Sequence, residues 1–391
     1  MLESIRVIEV SHAVAGPTAS QILADYGAEV IKIENPLGGD IFRDVPGMGP
    51  TMFLAVNRGK KSVGINLKSR EGLSIFYDLV KKSDVVIENL GPGVAEKLGI
   101  TYRKIKRANQ RVVCCKVESF GSGPFEKVPA FDPILQAAVG IMSTTGFPPD
   151  HYARAGVSLV DMATGMQAAS GVLASLLNRE LNGGKGSELR VSLYDAAAYF
   201  MSYWVAMYDL FGRDTSPLGS GHIFGAPYNL FRTKDGFVYI AVANDSVWQS
   251  FCKSLSFQDL LDDKRFRLAK DRVSKKKSLE SIIARRLRKM ESAHIEESLL
   301  GSRVPFGKFN TVKTLLQDPH FLGKGIMKEY EYGQKRYRTI VNPVIVDGSR
   351  LSASGSPPVL GADTEKVLRT ILGMNSTKLR ELKTKGIISD H

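Results

Sequence analysis

Read along the chain, short β-branched runs alternate with stretches whose apolar residues recur every three to four positions. Residues 6–10 (RVIEV) are such a run, and Gly16-Pro17 then open a helical stretch that Gly27 closes. Proline just inside a helix start and glycine just past its end is the expected punctuation: proline lacks an N–H the first turn does not use, and glycine accepts a left-handed backbone. Residues 30–33 read as a second strand and 62–67 as a third, with Ser69 capping a helix that runs through Lys82. Residues 85–87 and 112–117 are again extended, separated by a helical stretch over 94–107. Repeated strand–helix units of this kind predict an α/β fold with a parallel sheet covered by helices.

From Asp132 the pattern turns helical, and residues 161–180 form a long Ala-rich helix ending at Asn182-Gly183-Gly184, before a strand-like segment at 189–191. Residues 212–228 (GRDTSPLGSGHIFGAPY) are dense in Gly, Pro and Ser and read as a linker or mobile loop, with a second domain beyond. After Asp318-Pro319 strand-forming residues return (330–346), then Pro357-Pro358 and a closing helix, so the C-terminal segment is expected to rejoin the first domain.

Composition narrows the class. With 391 residues, 43% hydrophobic and 24% charged, the chain has ample core for two or three domains and lacks the signature of disorder. The net charge of +13 favours anionic partners, but residues 261–290 hold twelve Lys or Arg against four acids, so much of the excess is local. There the charges interleave with Leu279, Ile283 and Leu287, the pattern of amphipathic helices with a solvated face; no nucleic-acid motif accompanies it. Three cysteines offer neither a disulfide framework nor metal spacing, and no 18-residue uncharged apolar run occurs. A cytoplasmic protein with no membrane, nucleic-acid or metal partner is expected.

The familiar catalytic signatures are missing: there is no G-x-G-x-x-G after the first strand, no Walker A sequence, no H-E-x-x-H and no G-x-S-x-G. What remains are glycine-edged turns at predicted strand ends, at Ala15-Gly16-Pro17, at 89–93 (NLGPG) and at 120–124 (FGSGP). Open parallel sheets bind ligands at such ends. Lys68 and Lys97 stand near them, within reach of phosphates or simply in solvent. Asp161 opens the long helix; from spacing alone it reads as its N-cap.

Taken together these residues resemble a class III CoA-transferase, the family of formyl-CoA:oxalate and carnitine CoA-transferases and, more distantly, α-methylacyl-CoA racemase. The resemblance runs nearly end to end, through LADYGAEVIKIE (23–34), NRGKKS (57–62), VIENLGPG (86–93), Asp161, Asp318-Pro-His320 and PPVLG (357–361). It implies a Rossmann-like large domain built from both chain ends, with residues 1–211 and 326–391 in it, a linker at 212–228, a smaller inserted α+β domain at 229–325, and an interlocked homodimer. It places the catalytic nucleophile at Asp161 and the contacts to CoA at Ala15, Lys68, Asn89, Leu90 and Lys97, with Phe131 and Asp132 beside them. CoA and acyl-CoA enter as substrates, with no tightly bound cofactor.

Departures from the family pattern carry information too. Where the family often has Gly-Tyr-Asp this chain has Ala130-Phe131-Asp132, and where the racemases have a histidine it has Phe131. Racemisation needs a proton acceptor on each face of the α-carbon, and a phenyl ring supplies none. Lys97 replaces the usual arginine, keeping charge and losing bidentate geometry. The expected activity is therefore transfer of CoA from an acyl-CoA to a free carboxylic acid through aspartyl intermediates, ahead of an acyl-CoA racemase or isomerase and, remotely, a nucleic-acid-binding protein.

Overall fold

The structure, a computed structural model, describes residues 1–389. It divides into a larger unit, residues 1–142, 154–214 and 325 onward, and a smaller one, residues 143–153 and 215–324. The 143–153 stretch groups with the smaller unit, although 1–211 reads in the sequence as one continuous piece.

The larger unit is organised by a seven-stranded sheet. Its strands are β1 (Arg6–Ser11), β2 (Glu29–Glu34), β3 (Lys61–Ile65), β4 (Val85–Asn89), β5 (Val113–Glu118) and β6 (Glu188–Ser192), with a short closing strand, Ile388–Ser389, at one edge. The order is closing strand, β3, β2, β1, β4, β5, β6, with all pairs parallel except the closing strand on β3. The chain winds outward from β1 in one direction, then returns to β4 on the other side, which leaves a crevice beyond the carboxyl ends of β1 and β4.

Because side chains alternate along a strand, each strand feeds two cores. Ile8 and Val10, Ile31 and Ile33, Val63 and Ile65, Val86 and Cys114 enter one; Val7, Val30, Val85, Ile87, Val113 and Cys115 enter the other. The adjacent cysteines thus point to opposite faces, both as buried free thiols. The first core is covered by helix Arg70–Val80 and two C-terminal helices, Thr364–Leu372 and Ser376–Thr384. The second is covered by α1 (Ala15–Asp25), α2 (Asp132–Ala138), α3 (Leu159–Leu181) and α4 (Leu193–Tyr199). Gly165 permits the approach of α3 to α1, since a Cβ there would lie 2.5 Å from Thr18 Cβ.

Local expectations are met where local signals act. Gly72 N–H donates to Ser69 Oγ at 2.9 Å, the cap read from the sequence. The helical stretch at 94–107 is instead two helices, Val94–Leu98 and Tyr102–Ala108, broken at left-handed Gly99 (φ 78°).

The smaller unit carries a three-stranded antiparallel sheet, β7 (Tyr228–Arg232), β8 (Phe237–Ala241) and β9 (Phe306–Lys308), with β8 central. Leu279, Ile283 and Leu287 of the basic helix Lys276–Leu287 are fully buried in its core. Arg272 is buried as well, stacking on Trp248 and pairing with Asp245 at 2.9 Å, so part of the local charge is structural. Lys270, Lys277, Arg285, Arg288 and Lys289 are exposed, as a solvated face requires.

Candidate active site

The crevice beyond β1 and β4 is occupied by a cavity of about 220 Å³. The loop after β1 contributes His12, Ala13 and Ala15; the turn after β4 contributes Asn89, Leu90, Gly91 and Pro92; Ile41, Ser119, Pro129, Ala130, Phe131, Asp161 and Leu193 complete the wall. An adjoining groove of about 380 Å³ shares Leu90, Gly91, Pro92 and Ser119 and extends over Lys97, Lys116 and Lys127, interspersed with Glu88, Glu96, Glu118 and Glu126.

The two loops meet because of Gly16. A Cβ at that position would lie 2.7 Å from the Cβ atoms of both Asn89 and Ser11. Asn89 is spent on this junction: its Oδ1 accepts from Gly16 N–H at 3.2 Å and its Nδ2 donates to the Val117 carbonyl at 3.0 Å. The first turn of α1 and the ends of β4 and β5 are thereby tied together at the cavity.

Beneath the loop lies a buried ionic network. Glu9, in the middle of β1, receives Lys32 at 2.7 Å on one oxygen and Lys60 at 2.8 Å on the other, all three fully buried. Lys32 also meets Asp40 at 2.9 Å, and Asp40 Oδ1 accepts from Ala13 N–H at 3.2 Å. Burial alone would raise the Glu9 carboxyl, but the two ammonium groups outweigh it and hold Glu9 well below the usual range. Through Asp40 this network pins the β1 loop, where Ala13 takes a left-handed backbone (φ 65°). His12, next to it, is held below its ordinary value by burial and then by Lys32, so it stands neutral at pH 7.

Asp161 occupies the first turn of α3, which begins at Leu159, two residues before the helix start read from the sequence. It is not the cap. That function is performed by Asp132, whose Oδ2 accepts from Val160 N–H at 2.6 Å and Asp161 N–H at 3.2 Å. Among the described residues no donor reaches the Asp161 carboxyl itself. Burial, and then the negative charge of Asp132, push it up to about 7. The helix terminus therefore does not hold Asp161 in its charged form, contrary to what a first-turn carboxylate suggests.

Of the other residues expected at a CoA site, Ala15, Asn89, Leu90 and Phe131 line the cavity and Lys97 the groove. Phe131 is 61% exposed. Lys68 is exposed and borders neither space. Asp132 also borders neither: it is 3% exposed and turned into α3 and Gln136. His12, Ser119 and Leu193 were not anticipated. For His12 a signal existed in its place directly after the first strand, at the sheet's switch point.

A model of CoA-transferase family III matches residues 2–364, and the chain belongs to that family. Over its whole length it is similar to the succinyl-CoA:glutarate CoA-transferase of Homo sapiens, at 29% identity covering 90% of that protein. It is 32% identical to the succinate–glutarate CoA-transferase of Agrobacterium fabrum, covering 94% of each chain. A solved CAIB/BAIF family protein from Brucella suis superposes with a TM-score of 0.84 at 28% identity, covering 94% of this chain and 98% of that one. The chain is a CoA-transferase, acting on CoA thioesters. Among the described residues, no helix is long and apolar enough to cross a membrane.

Proposed function

We propose that this enzyme moves CoA from an acyl-CoA to a free carboxylic acid, with Asp161 as the covalent carrier. The observation that carries this reading is a carboxyl in the switch-point cavity that no hydrogen-bond donor holds among the described residues, raised to about 7 and so basic enough to attack a thioester near neutral pH. A carboxylate oxygen of Asp161 attacks the acyl carbonyl; the C–S bond breaks and CoA leaves as thiolate, giving a mixed anhydride. The thiolate then attacks the aspartyl carbonyl, the donor acid departs as carboxylate, and an aspartyl-CoA thioester remains. The acceptor carboxylate attacks that thioester and the same two steps run in reverse order, returning Asp161 to its carboxylate.

The groove with Lys97 and the turn at Leu90 are suited to CoA, whose phosphates and pantetheine need cations and backbone groups along one wall. One similar protein is named for succinyl-CoA and glutarate and another for succinate and glutarate, so dicarboxylic acids belong first in an acceptor panel. Incubation with succinyl-CoA followed by peptide mass mapping tests the reading. CoA or acyl mass on the peptide containing Asp161, released by hydroxylamine as a hydroxamate, is the expected result. No adduct on a turning-over enzyme would end it.

The racemase alternative keeps one observation: His12, a neutral imidazole, shares the cavity with Asp161. Solvent deuterium should nonetheless not enter the α-position of a 2-methylacyl-CoA. Exchange at a rate comparable to turnover would move the reading to racemase.

The reading extends to a homodimer, interlocked as the family resemblance implies. Tyr203, Val205, Tyr208, Leu210 and Phe211 of helix Ser202–Phe211 and Leu177 and Leu181 of α3 are each more than half exposed, more apolar surface than a stable monomer ordinarily leaves in water. An apolar recess of about 600 Å³, walled by Ile22, Met162, Met166, Leu173 and Ile340, supports the same conclusion. Sedimentation at micromolar concentration should give twice the chain mass; an active monomer would refute it.

A further inference from the structure

A carboxylate in the first turn of a helix is ordinarily stabilised there, because the free N–H groups and the helix dipole favour negative charge. In α3 those N–H groups are already taken. Asp132, 28 and 29 residues earlier in the chain, places one oxygen against both Val160 and Asp161 N–H. Its other oxygen accepts from Gln136 Nε2 at 2.5 Å, and Gln136 Oε1 in turn accepts from Ala155 N–H at 2.8 Å. Asp132 and Gln136, one turn apart on α2, thus lock both the loop entering α3 and its first turn. Both are buried, so neither meets a ligand.

We propose that Asp132 is a positioning residue that takes the donors of α3 for itself, leaving the Asp161 carboxylate without them, partly desolvated and under the influence of a like charge, and relieved of both penalties when it becomes an acyl anhydride or a CoA thioester. The inference rests on Asp161 being the covalent carrier. Across the half-reaction, carboxylate plus acyl-CoA become aspartyl-CoA plus free acid, so the negative charge departs with the product. Whatever destabilises that charge on Asp161 favours the loaded enzyme by the same factor.

No other charge competes for this role. Of the elements packed around Asp161, α1 presents Ala15, α4 presents Leu193, and the β1 loop presents His12, the remaining titratable group on the cavity, which is neutral at pH 7. Among the described residues Asp132 is the one charged group that bears on Asp161.

The test is Asp132→Asn, which keeps an oxygen for the α3 N–H groups and removes the charge. Should it not fold, Asp132→Asn combined with Gln136→Glu restores complementary hydrogen bonds and moves the acid one helical turn from α3. In either variant the acidic limb of kcat/KM should shift to lower pH, by about one unit in the single variant. The fraction of enzyme carrying CoA at a fixed ratio of acyl-CoA to free acid should fall at least threefold. A folded variant whose pH limb and CoA fraction stay at wild-type values would overturn the proposal, whatever its melting temperature. If the wild type itself carries no CoA, the covalent reading fails first and takes this inference with it.

Discussion

Glu9 is fully buried and Asp161 partly buried in the same unit, and they end in opposite states. Glu9 sits between two ammonium groups and further accepts from Ser11 and Ser20 hydroxyls, each at 2.6 Å, and its charge is fixed. Among the described residues Asp161 has no cation and no donor, only a second carboxylate, and it is pushed up to about 7. Desolvation pushes both carboxyls upward, and the partners decide the outcome. The first arrangement holds a loop in place; the second holds a reactive group at a disadvantage that reaction removes.

Removing each carboxylate in turn is the most direct way to break this comparison. Asp161→Asn should fold and lose at least about 10⁴-fold in kcat, since an amide can neither form the anhydride nor be regenerated by loss of CoA. If Asp161 served only its helix, Asn would retain most turnover; more than about a tenth of wild-type activity, with deamidation excluded by mass, contradicts the assignment. Glu9→Gln should leave the buried Lys60 ammonium without a counter-charge, Lys32 keeping Asp40, and cost about 3–5 kcal/mol in denaturant unfolding. A loss below about 1 kcal/mol would show that the network tolerates an unpaired charge.

The two sites also differ in sign with pH. Asp161 keeps its proton to higher pH in the folded protein than in the unfolded chain. Its contribution to stability is therefore complete below about pH 4 and lost as pH rises through about 7. Asp161→Asn should consequently be more stable than wild type at pH 8, by on the order of 2–4 kcal/mol, and no more stable near pH 4. Equal melting curves at pH 8 would disprove the strain. Catalysis needs the ionised form, so wild-type kcat/KM should climb through the same interval. For Glu9 the sign is reversed: its stabilisation is present above the usual carboxyl range and is lost only in strong acid.

The smallest effects belong to the lysines. Lys97→Ala should raise KM for acyl-CoA about three- to tenfold with kcat unchanged, because a phosphate contact far from the thioester is similar in ground and transition states. Lys68→Ala should change KM by less than about twofold, since Lys68 borders neither the cavity nor the groove. A larger effect at Lys68 than at Lys97 would mean that CoA follows another path.

Much of this architecture was legible from residue patterns, for definite reasons. Strands such as 30–33 and 85–87 announce themselves by β-branched runs, and Ser69 caps its helix through a bond three residues away. The turn at 89–93 lay at a predicted strand end and does border the cavity. The cap of α3 was not legible, because its donor and acceptor lie 28 residues apart and no local spacing marks Asp132. The ionic network left a fainter trace. Glu9 and Lys32 are charged residues inside apolar strands, and central parallel strands have no wet face to offer them, so each required a buried partner that only the sheet order identifies.

The closing strand has a consequence for synthesis. Ile388 and Ser389 pair with Ile65 and Gly64, while Gly64 N–H also donates to Thr364 Oγ1 and Ser62 Oγ accepts from Gly361 N–H, across about 300 residues. At ribosomal rates of about 5–20 residues per second, β3 waits roughly 15–60 s for this cover. Throughout that interval its outer backbone groups are an open template for any passing strand. Yield in a cell should then depend on how this one edge is shielded while the chain is being made, a vulnerability that the finished enzyme no longer displays.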